Sequence, residues 1–484
     1  MSLNIATIAS EVAPFSKSGG LGDVTRSLPK ALNTLGHNVI TITPFYLETS
    51  QQGFPRQEIG TTSYTIQGKK YNIRFLLAHV NAQMPIVFVH CEDLFFRHRM
   101  YGFPDDNLRF YIFSLAAFEA MRQLKFRPDV LHCHDWHAGL MPNLLVKKFA
   151  KEGLFKKTRT LFTIHNLLFQ MQGDWWSVAP KNHDRGNGLP PTTADQLKRV
   201  NFTRRGIIFA DVINTVSERY AWEILTPEFG QGLEHKLQQR KDDVYGIING
   251  IDYTVYNPVY DENIWYKYDW NALDKKRKNK YKLQKLLKLE PNTDIPMLGV
   301  VHRLTEQKGF HLIQKLLPVL MKIPLQIVIV GSGSKDMVRD FKKWAKKYPR
   351  RIAIVSPFTE ETGSRVYAGS DIFLMPSRYE PCGISQLISL RYGSVPIVHE
   401  TGGLSDTITN YNPKTGRGNG FVFSTYMPEN FLVSIVRALE TFKYPRVWEN
   451  LTWQAMRTSF SWELPAKKYV QLYRLALKDD KKKR

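Results

Sequence analysis

Twice along this chain, short runs of β-branched and apolar residues alternate with helix-length amphipathic segments, and this recurrence limits the possible folds most strongly. In the first half, 3–9, 38–43, 73–78, 86–90, 130–133, 160–164 and 212–215 read as strands, and 23–35, 108–124 and 139–150 as helices. After a polar break at 291–294 the pattern restarts. Strands are expected at 297–301, 325–330, 352–355, 372–374 and 395–398, separated by helix-sized stretches such as 310–321. Strands that alternate with helices build parallel sheets covered on both faces. The expected class is therefore α/β, with two doubly wound domains. The least patterned stretch, 249–280, contains Pro258 and the start of a basic run and reads as a linker. Residues 173–193, rich in Pro, Gly, Asn and Asp, read as a surface loop.

Composition enters as a set of exclusions. A length of 484 residues suits two or three domains at about 150 residues each. With 43% apolar and 23% charged residues, the chain has ordinary globular usage, which excludes disorder as its main state. Three scattered cysteines, Cys91, Cys133 and Cys382, argue against a disulfide framework and for a reducing, intracellular setting. No window approaches eighteen consecutive apolar residues, so no membrane-spanning helix is expected. The opening MSLNIATIAS has no basic segment before a long apolar stretch, which predicts no secretory signal.

The formal charge of +23 points to an anionic partner: nucleic acid, an anionic membrane or a phosphorylated substrate. Most of it sits in three runs. Residues 275–288 hold eight cations and no acid, 339–351 hold seven against Asp340, and 478–484 hold five against two acids. Such runs read as solvated helix faces and a frayed terminus. Nucleic-acid binding needs basic residues interleaved with aromatics on one face, which these runs lack, although Trp344 and Tyr348 lie within one.

In open α/β sheets ligands bind outside the carboxyl ends of the strands, and the polar motifs fall just after strands. Lys17-Ser18-Gly19-Gly20-Leu21-Gly22-Asp23 opens a helix, where glycines admit a ligand to the backbone and helix N–H groups attract an anion. Its spacing fits neither a P-loop nor a dinucleotide fingerprint. It is also compatible with a merely tight turn. Thr41-Ile42-Thr43-Pro44 lacks the ribose-binding acid of a dinucleotide fold, which counts against NAD. His132, His134, Asp135 and His137 are metal-ligand types, but no partner cluster occurs elsewhere, so a polar constellation is favoured over a metal site. Thr163-Ile164-His165-Asn166 ends another strand in the same style.

In the second half, His302-Arg303-Leu304-Thr305-Glu306-Gln307-Lys308-Gly309 follows a strand. Arg303 and Lys308 can clamp a diphosphate, one as a planar fork and the other as a point charge. Gly331-Ser332-Gly333 is another tight turn. In Pro376-Ser377-Arg378-Tyr379-Glu380-Pro381-Cys382-Gly383 the carboxylate can bind sugar hydroxyls or a ribose, and Thr401-Gly402-Gly403-Leu404 is a further glycine-lined helix start. Together these pieces describe a site for a phosphate-bearing sugar.

In chain order, KSGGLGD, HCHDWHAGL, FTIHN, NTVSERYAWEI, GQGLE, INGID, HRLTEQKG, PSRYEPCG and TGGL resemble the motifs of the bacterial glycogen synthases and plant-type starch synthases, glycosyltransferase family 5. The resemblance runs over essentially the whole chain. It implies a GT-B fold: two Rossmann-like domains facing across a cleft, 1–255 on the acceptor side and 256–460 on the donor side. Residues 461–484 would form a helix crossing back to the first domain, plus a basic tail. The implied reaction moves glucose from ADP-glucose to the non-reducing end of an α-1,4-glucan, with retention and without a metal or other cofactor. The implied partners are ADP-glucose and an α-glucan or maltooligosaccharide, with no nucleic acid and no membrane. The implied location is the cytoplasm, or the plastid of a photosynthetic eukaryote.

Carried over motif by motif, the resemblance places Lys17, Gly19 and Gly20 at the donor's diphosphate and sugar, with Asp23 positioning the nucleotide end or the closing loop. Asp135 and His165 lie beside the transferred glucose, with Asn249 near it. Arg303 and Lys308 hold the diphosphate. Glu380 and the amides after Cys382, starting at Gly383, take the glucosyl hydroxyls. Thr401, Gly402, Gly403 and Leu404 lie near the phosphates, and Phe358 stands where relatives stack a tyrosine on adenine. Two departures from the family concern the acceptor side: the irregular 171–198 segment, and Arg204-Arg205 before Gly206 where a lysine is commoner. The competing readings are a GT-B enzyme using UDP-glucose and, from another class, a basic nucleic-acid-binding protein.

Overall fold

The computed structural model describes residues 2–80, 84–171, 175, 177–184 and 186–478. The end of the third basic run and four residues of the expected surface loop (173, 174, 176 and 185) lie outside the described residues. The chain divides into two compact units, the first from the described parts of Met1–Ile247 and Trp462–Arg484 and the second from Ile248–Ser461.

Unit 1 is built on nine strands: β1 Asn4–Ile8, β2 Asn38–Pro44, β3 Arg56–Ile66, β4 Lys69–His79, β5 Pro85–His90, β6 Val130–His134, β7 Arg159–Ile164, β8 Val212–Thr215 and β9 Val244–Gly246. Their order is β3-β4-β5-β2-β1-β6-β7-β8-β9. From β5 to β9 all neighbours are parallel, as expected for strands joined through helices. β6, β7 and β8 are buried at every position, the pattern of strands covered on both faces.

The antiparallel arm β3–β4–β5 departs from the expected layout. Its 73–78 and 86–90 segments carry a clear apolar signal. β3 exposes most of its residues, and its Thr, Ser and Gln positions read as loop. Gln67 and Gly68, with φ of 50° and 79°, close β3 and β4 with the two-residue left-handed turn that suits strand twist. One face of the sheet is covered by the helix Gly20–Thr34 and by the C-terminal helix Glu463–Lys478. Val24, Leu28, Leu32, Ala466, Tyr469 and Tyr473 pack there on Ile5, Val130, Leu161 and Val212.

Unit 2 is a six-stranded, wholly parallel sheet of β10 Met297–Val301, β11 Gln326–Val330, β12 Ile352–Val355, β13 Ile372–Met375, β14 Val395–His399 and β15 Phe421–Phe423. The order is β12-β11-β10-β13-β14-β15, with apolar clusters on both faces. The basic run read as linker is instead part of a helix, Leu273–Leu286. One of its faces is buried. Lys276 Nζ donates to the carbonyls of Ala368 and Ser370 at 3.0 and 2.8 Å, at the end of the helix Glu360–Gly369. Lys280 Nζ pairs with Asp371 at 2.5 Å. Cations at a helix C-terminus satisfy its open carbonyls and its dipole. Lys275, Lys278, Lys282 and Lys285 remain on the solvent side, as expected.

Candidate active site

Each sheet winds in one direction and then reverses beside its first strand. In unit 1 the reversal falls between β1 and β6, and in unit 2 between β10 and β13. Loops at such a reversal diverge and leave a crevice at the carboxyl ends of the strands. The motifs after β1 and β6 in unit 1, and after β10 and β13 in unit 2, lie on these loops, and those after β7 and β14 on the neighbouring ones.

After β1, Glu11 is buried and organises the glycine-rich turn. It accepts from the Ser18 amide at 2.7 Å, the Ser18 hydroxyl at 2.6 Å and the Tyr101 hydroxyl at 2.9 Å. Lys17 pairs with Asp23 at 2.8 Å, across the start of the helix that opens at Gly20. Gly19 precedes that helix with open space around its α-carbon and no side-chain cap. Glu11 and Tyr101 were missed in the sequence. Glu11 left a trace as an acid directly after an apolar strand, whereas Tyr101 left none.

At the end of β6, Asp135 has φ 55°, a left-handed conformation costly for a residue with a side chain. It is held there by its Oδ1, which accepts from the His165 amide at 2.7 Å, and by its own amide, which donates to Thr163 O at 2.9 Å. Burial, with the Glu11 carboxylate nearby, pushes the Asp135 carboxyl up to about 7. Burial also draws His165 down to about 3, so its ring is neutral at working pH. His165 Nε2 lies 2.9 Å from His134 Nδ1.

The other two histidines of the motif have structural surroundings. His132 uses both ring nitrogens, with Thr163 Oγ1 at 2.7 Å and the Tyr473 hydroxyl at 2.9 Å. His137 packs between Tyr101, Phe110 and Trp136. Among the described residues no group of three or more His, Cys, Asp or Glu is placed to hold a metal ion. The departing Arg204-Arg205 pair ties down a loop: Arg205 pairs with Asp184 at 2.7 Å, and Arg204 donates to Asp184 O at 2.6 Å.

In unit 2, Lys308 Nζ meets Glu380 Oε2 at 2.5 Å, with the side chains 13% and 8% exposed. Ser377 Oγ donates to the same oxygen at 3.0 Å. The two loops are tied together, since the Arg378 amide donates to Gln307 O at 2.9 Å. Arg303 is exposed and makes no hydrogen bond or ion pair among the described residues. Cys382 is buried, and the backbone and side chain of Asn249 hydrogen-bond its sulfur, while burial pushes the thiol up to about 12. The amides of Gly383 and Ile384 have no protein acceptor among the described residues, which suits them to hydroxyl or phosphate oxygens.

Gly402 and Gly403 have a packing reason of their own. A Cβ at Gly402 would lie 2.0 Å from Glu380 O, and one at Gly403 would lie 2.1 Å from Cys382 O. The Gly403 amide donates to Glu380 O, and the Leu404 amide to Thr401 O. These residues therefore fix the loop that presents Glu380. Leu404 itself is a core residue, and Thr401 Oγ1 is buried without a partner among the described residues. Phe358 stands 45% exposed just after β12, on the same carboxyl-end side of the sheet.

Comparison with known proteins identifies the family. The family model for the starch synthase catalytic domain matches residues 4–239, and that for glycosyl transferases group 1 matches 284–451. The chain is 42% identical over 486 residues to a glycogen synthase of Geotalea daltonii, covering 98% of this chain and 99% of that one. It is 40% identical over 479 residues to a glycogen synthase of Clostridium novyi, covering 97% and 98%. The catalytic domain of starch synthase IV from Arabidopsis thaliana, solved with ADP and acarbose, superposes with a TM-score of 0.89 at 32% identity, covering 99% of this chain and all of that one. Sucrose-phosphate synthase from Thermosynechococcus elongatus, at 17% identity and a TM-score of 0.63, shares the fold alone. The chain belongs to the glycogen and starch synthase family, glucosyltransferases of GT-B fold that elongate α-glucans.

Proposed function

We propose that this enzyme transfers glucose from ADP-glucose to the non-reducing end of an α-1,4-glucan, with retention and without a metal or other cofactor. The observation that carries the reading is the Lys308–Glu380 pair at 2.5 Å beside the uncommitted Arg303, on the reversal loops of unit 2. Breaking the bond between C1 and the phosphate oxygen builds negative charge on the leaving diphosphate. Lys308 and Arg303 lie ready to stabilise it, and fixed charges act without reorganisation in the transition state. They supply the neutralisation that other phosphate enzymes draw from a divalent ion. Glu380 and the Gly383 and Ile384 amides take glucosyl hydroxyls, Asn249 supports that loop through Cys382, and Phe358 offers a face to the base.

In unit 1, Lys17 with the Gly19–Gly20 turn, and Asp23, are assigned to the donor. Asp135 and His165 are assigned to the transferred glucose, His165 as an organiser of hydroxyls. The acceptor hydroxyl attacks C1 on the face the phosphate leaves, and its proton passes to the departing phosphate oxygen. Three free, buried cysteines are in keeping with a cytoplasmic location, and among the described residues no helix is long and apolar enough to cross a membrane. The test is incubation of the enzyme with ADP-glucose and a short maltooligosaccharide, with and without EDTA. The expected result is release of ADP and a ladder of one-glucose steps, equal in both arms. Absence of a ladder contradicts the reaction, and loss of the ladder on chelation contradicts the metal-free mechanism.

A further inference from the structure

Beneath His165 lies a chain of buried polar groups whose proton positions follow from counting donors. The Asn214 amide nitrogen donates to Thr215 O at 2.9 Å, so its Oδ1 faces the other way and accepts from Thr163 Oγ1 at 2.9 Å and from the Tyr469 hydroxyl at 3.0 Å. Thr163 has one hydroxyl proton and gives it to Asn214. His132 Nε2, 2.7 Å from Thr163 Oγ1, must then carry a proton and donate it. His132 Nδ1 is therefore bare and accepts from the Tyr473 hydroxyl at 2.9 Å. Burial keeps His132 neutral, consistent with this assignment. The C-terminal helix, through Tyr469 and Tyr473, thus locks one tautomer of His132. The His132 ring in turn lies 4.0 Å from that of His134, centroid to centroid.

His134 is fully buried, and its Nε2 has no partner among the described residues. Its Nδ1 lies 2.9 Å from His165 Nε2, and one proton must sit between them. If His165 supplied that proton, the proton of neutral His134 would sit on Nε2 as a buried N–H with no acceptor. Orphaned N–H donors are the rarest buried polar groups. With the proton on His134 Nδ1, only a bare lone pair is left unpaired. We infer that His134 is a positioning residue: its Nδ1–H donates to His165 Nε2 and holds His165 as the Nδ1–H tautomer. The His165 proton is then on the nitrogen that has no protein partner among the described residues, ready to donate to an oxygen of the sugar substrate.

This inference rests on the proposed role of His165 in glucosyl transfer, and its test separates the two. An asparagine amide reproduces the position of a histidine Nδ1–H, and leucine removes it. His134→Leu is expected to lower kcat by about tenfold to a hundredfold, the effect of one buried hydrogen bond, with the KM for ADP-glucose unchanged. His134→Asn is expected to restore most of kcat. Nitrogen-15 NMR of histidine-labelled enzyme, with the His165 signals assigned by their loss in His165→Gln, reads the tautomer directly. Wild type and His134→Asn should show His165 protonated on Nδ1, and His134→Leu should lose that preference. His165 protonated on Nε2 in the wild type overturns the inference, and this readout holds even if His134→Leu fails to fold. Wild-type kcat in His134→Leu, or equal losses in both variants, also overturns it. No transfer from ADP-glucose by the wild type would overturn the functional reading instead, and the tautomer would still decide the inference.

Discussion

Lys308 and Glu380 share one short contact with little water around either side chain, so changing one leaves the other unpaired at the donor loops. Lys308→Ala and Glu380→Ala should each lower kcat by about 10²–10³, the effect of removing one preorganised electrostatic contact, while circular dichroism reports a folded protein. Near-wild-type rates for both would mean that the site is misassigned. Asp135 gives a second residue-level prediction, through pH. Its folded carboxyl titrates near 7, well above that of an unfolded chain. Between those values the folded protein holds a proton that the unfolded chain has released. Stability contributed at acid pH is therefore lost as pH rises through 7. Asp135→Asn keeps the acceptor for the His165 amide and removes the charge. Its Tm should come closest to wild type below about pH 4, where the wild-type carboxyl is protonated both folded and unfolded, and exceed it near pH 8 by about 2–4 °C for each kcal/mol of relieved burial. Equal Tm differences at both pH values would contradict the raised carboxyl.

At the scale of elements, the basic run divides into two kinds of lysine. Lys276 donates into the carbonyl end of the helix Glu360–Gly369, and Lys282 points to solvent. Lys276→Met should cost about 1.5–3 kcal/mol, the range for hydrogen bonds to a charged group. Lys282→Met should stay within about 0.5 kcal/mol of wild type. Urea unfolding of the two variants checks this, and equal stabilities would contradict the buried role. Periodicity could not separate these residues, because charge content dominates the run and a linker reading follows from it. The opposite limit is β10, whose unbroken apolar run made it legible to the residue. β3 escaped because its exposed Thr and Ser positions resemble a loop and its partner lies across a two-residue turn. The strands were legible where burial on both faces forced an apolar run, and not where solvent covered a face.

At the scale of the whole molecule, each sheet carries two of its motifs on the loops where its winding reverses and another on the loop beside them. That placement was legible in outline, since the motifs follow strands in the sequence. The partners that hold them were not. Glu11 and Ser18, Asn249 and Cys382, and His132 and Tyr473 are far apart or unmarked by any motif, and only the fold brings them together. The net charge narrows in the same way: the three cations assigned to the substrate are Lys17, Arg303 and Lys308, and the two described basic runs, 275–288 and 339–351, serve helix ends and solvent. The central claim is that these few groups serve an adenine nucleotide sugar and an α-glucan. It is tested most directly by the initial rate of labelled glucose incorporation into glycogen from ADP-glucose and from UDP-glucose at equal concentration. The account predicts rapid incorporation from ADP-glucose and little from UDP-glucose. Faster incorporation from UDP-glucose, or none from either donor, would contradict it.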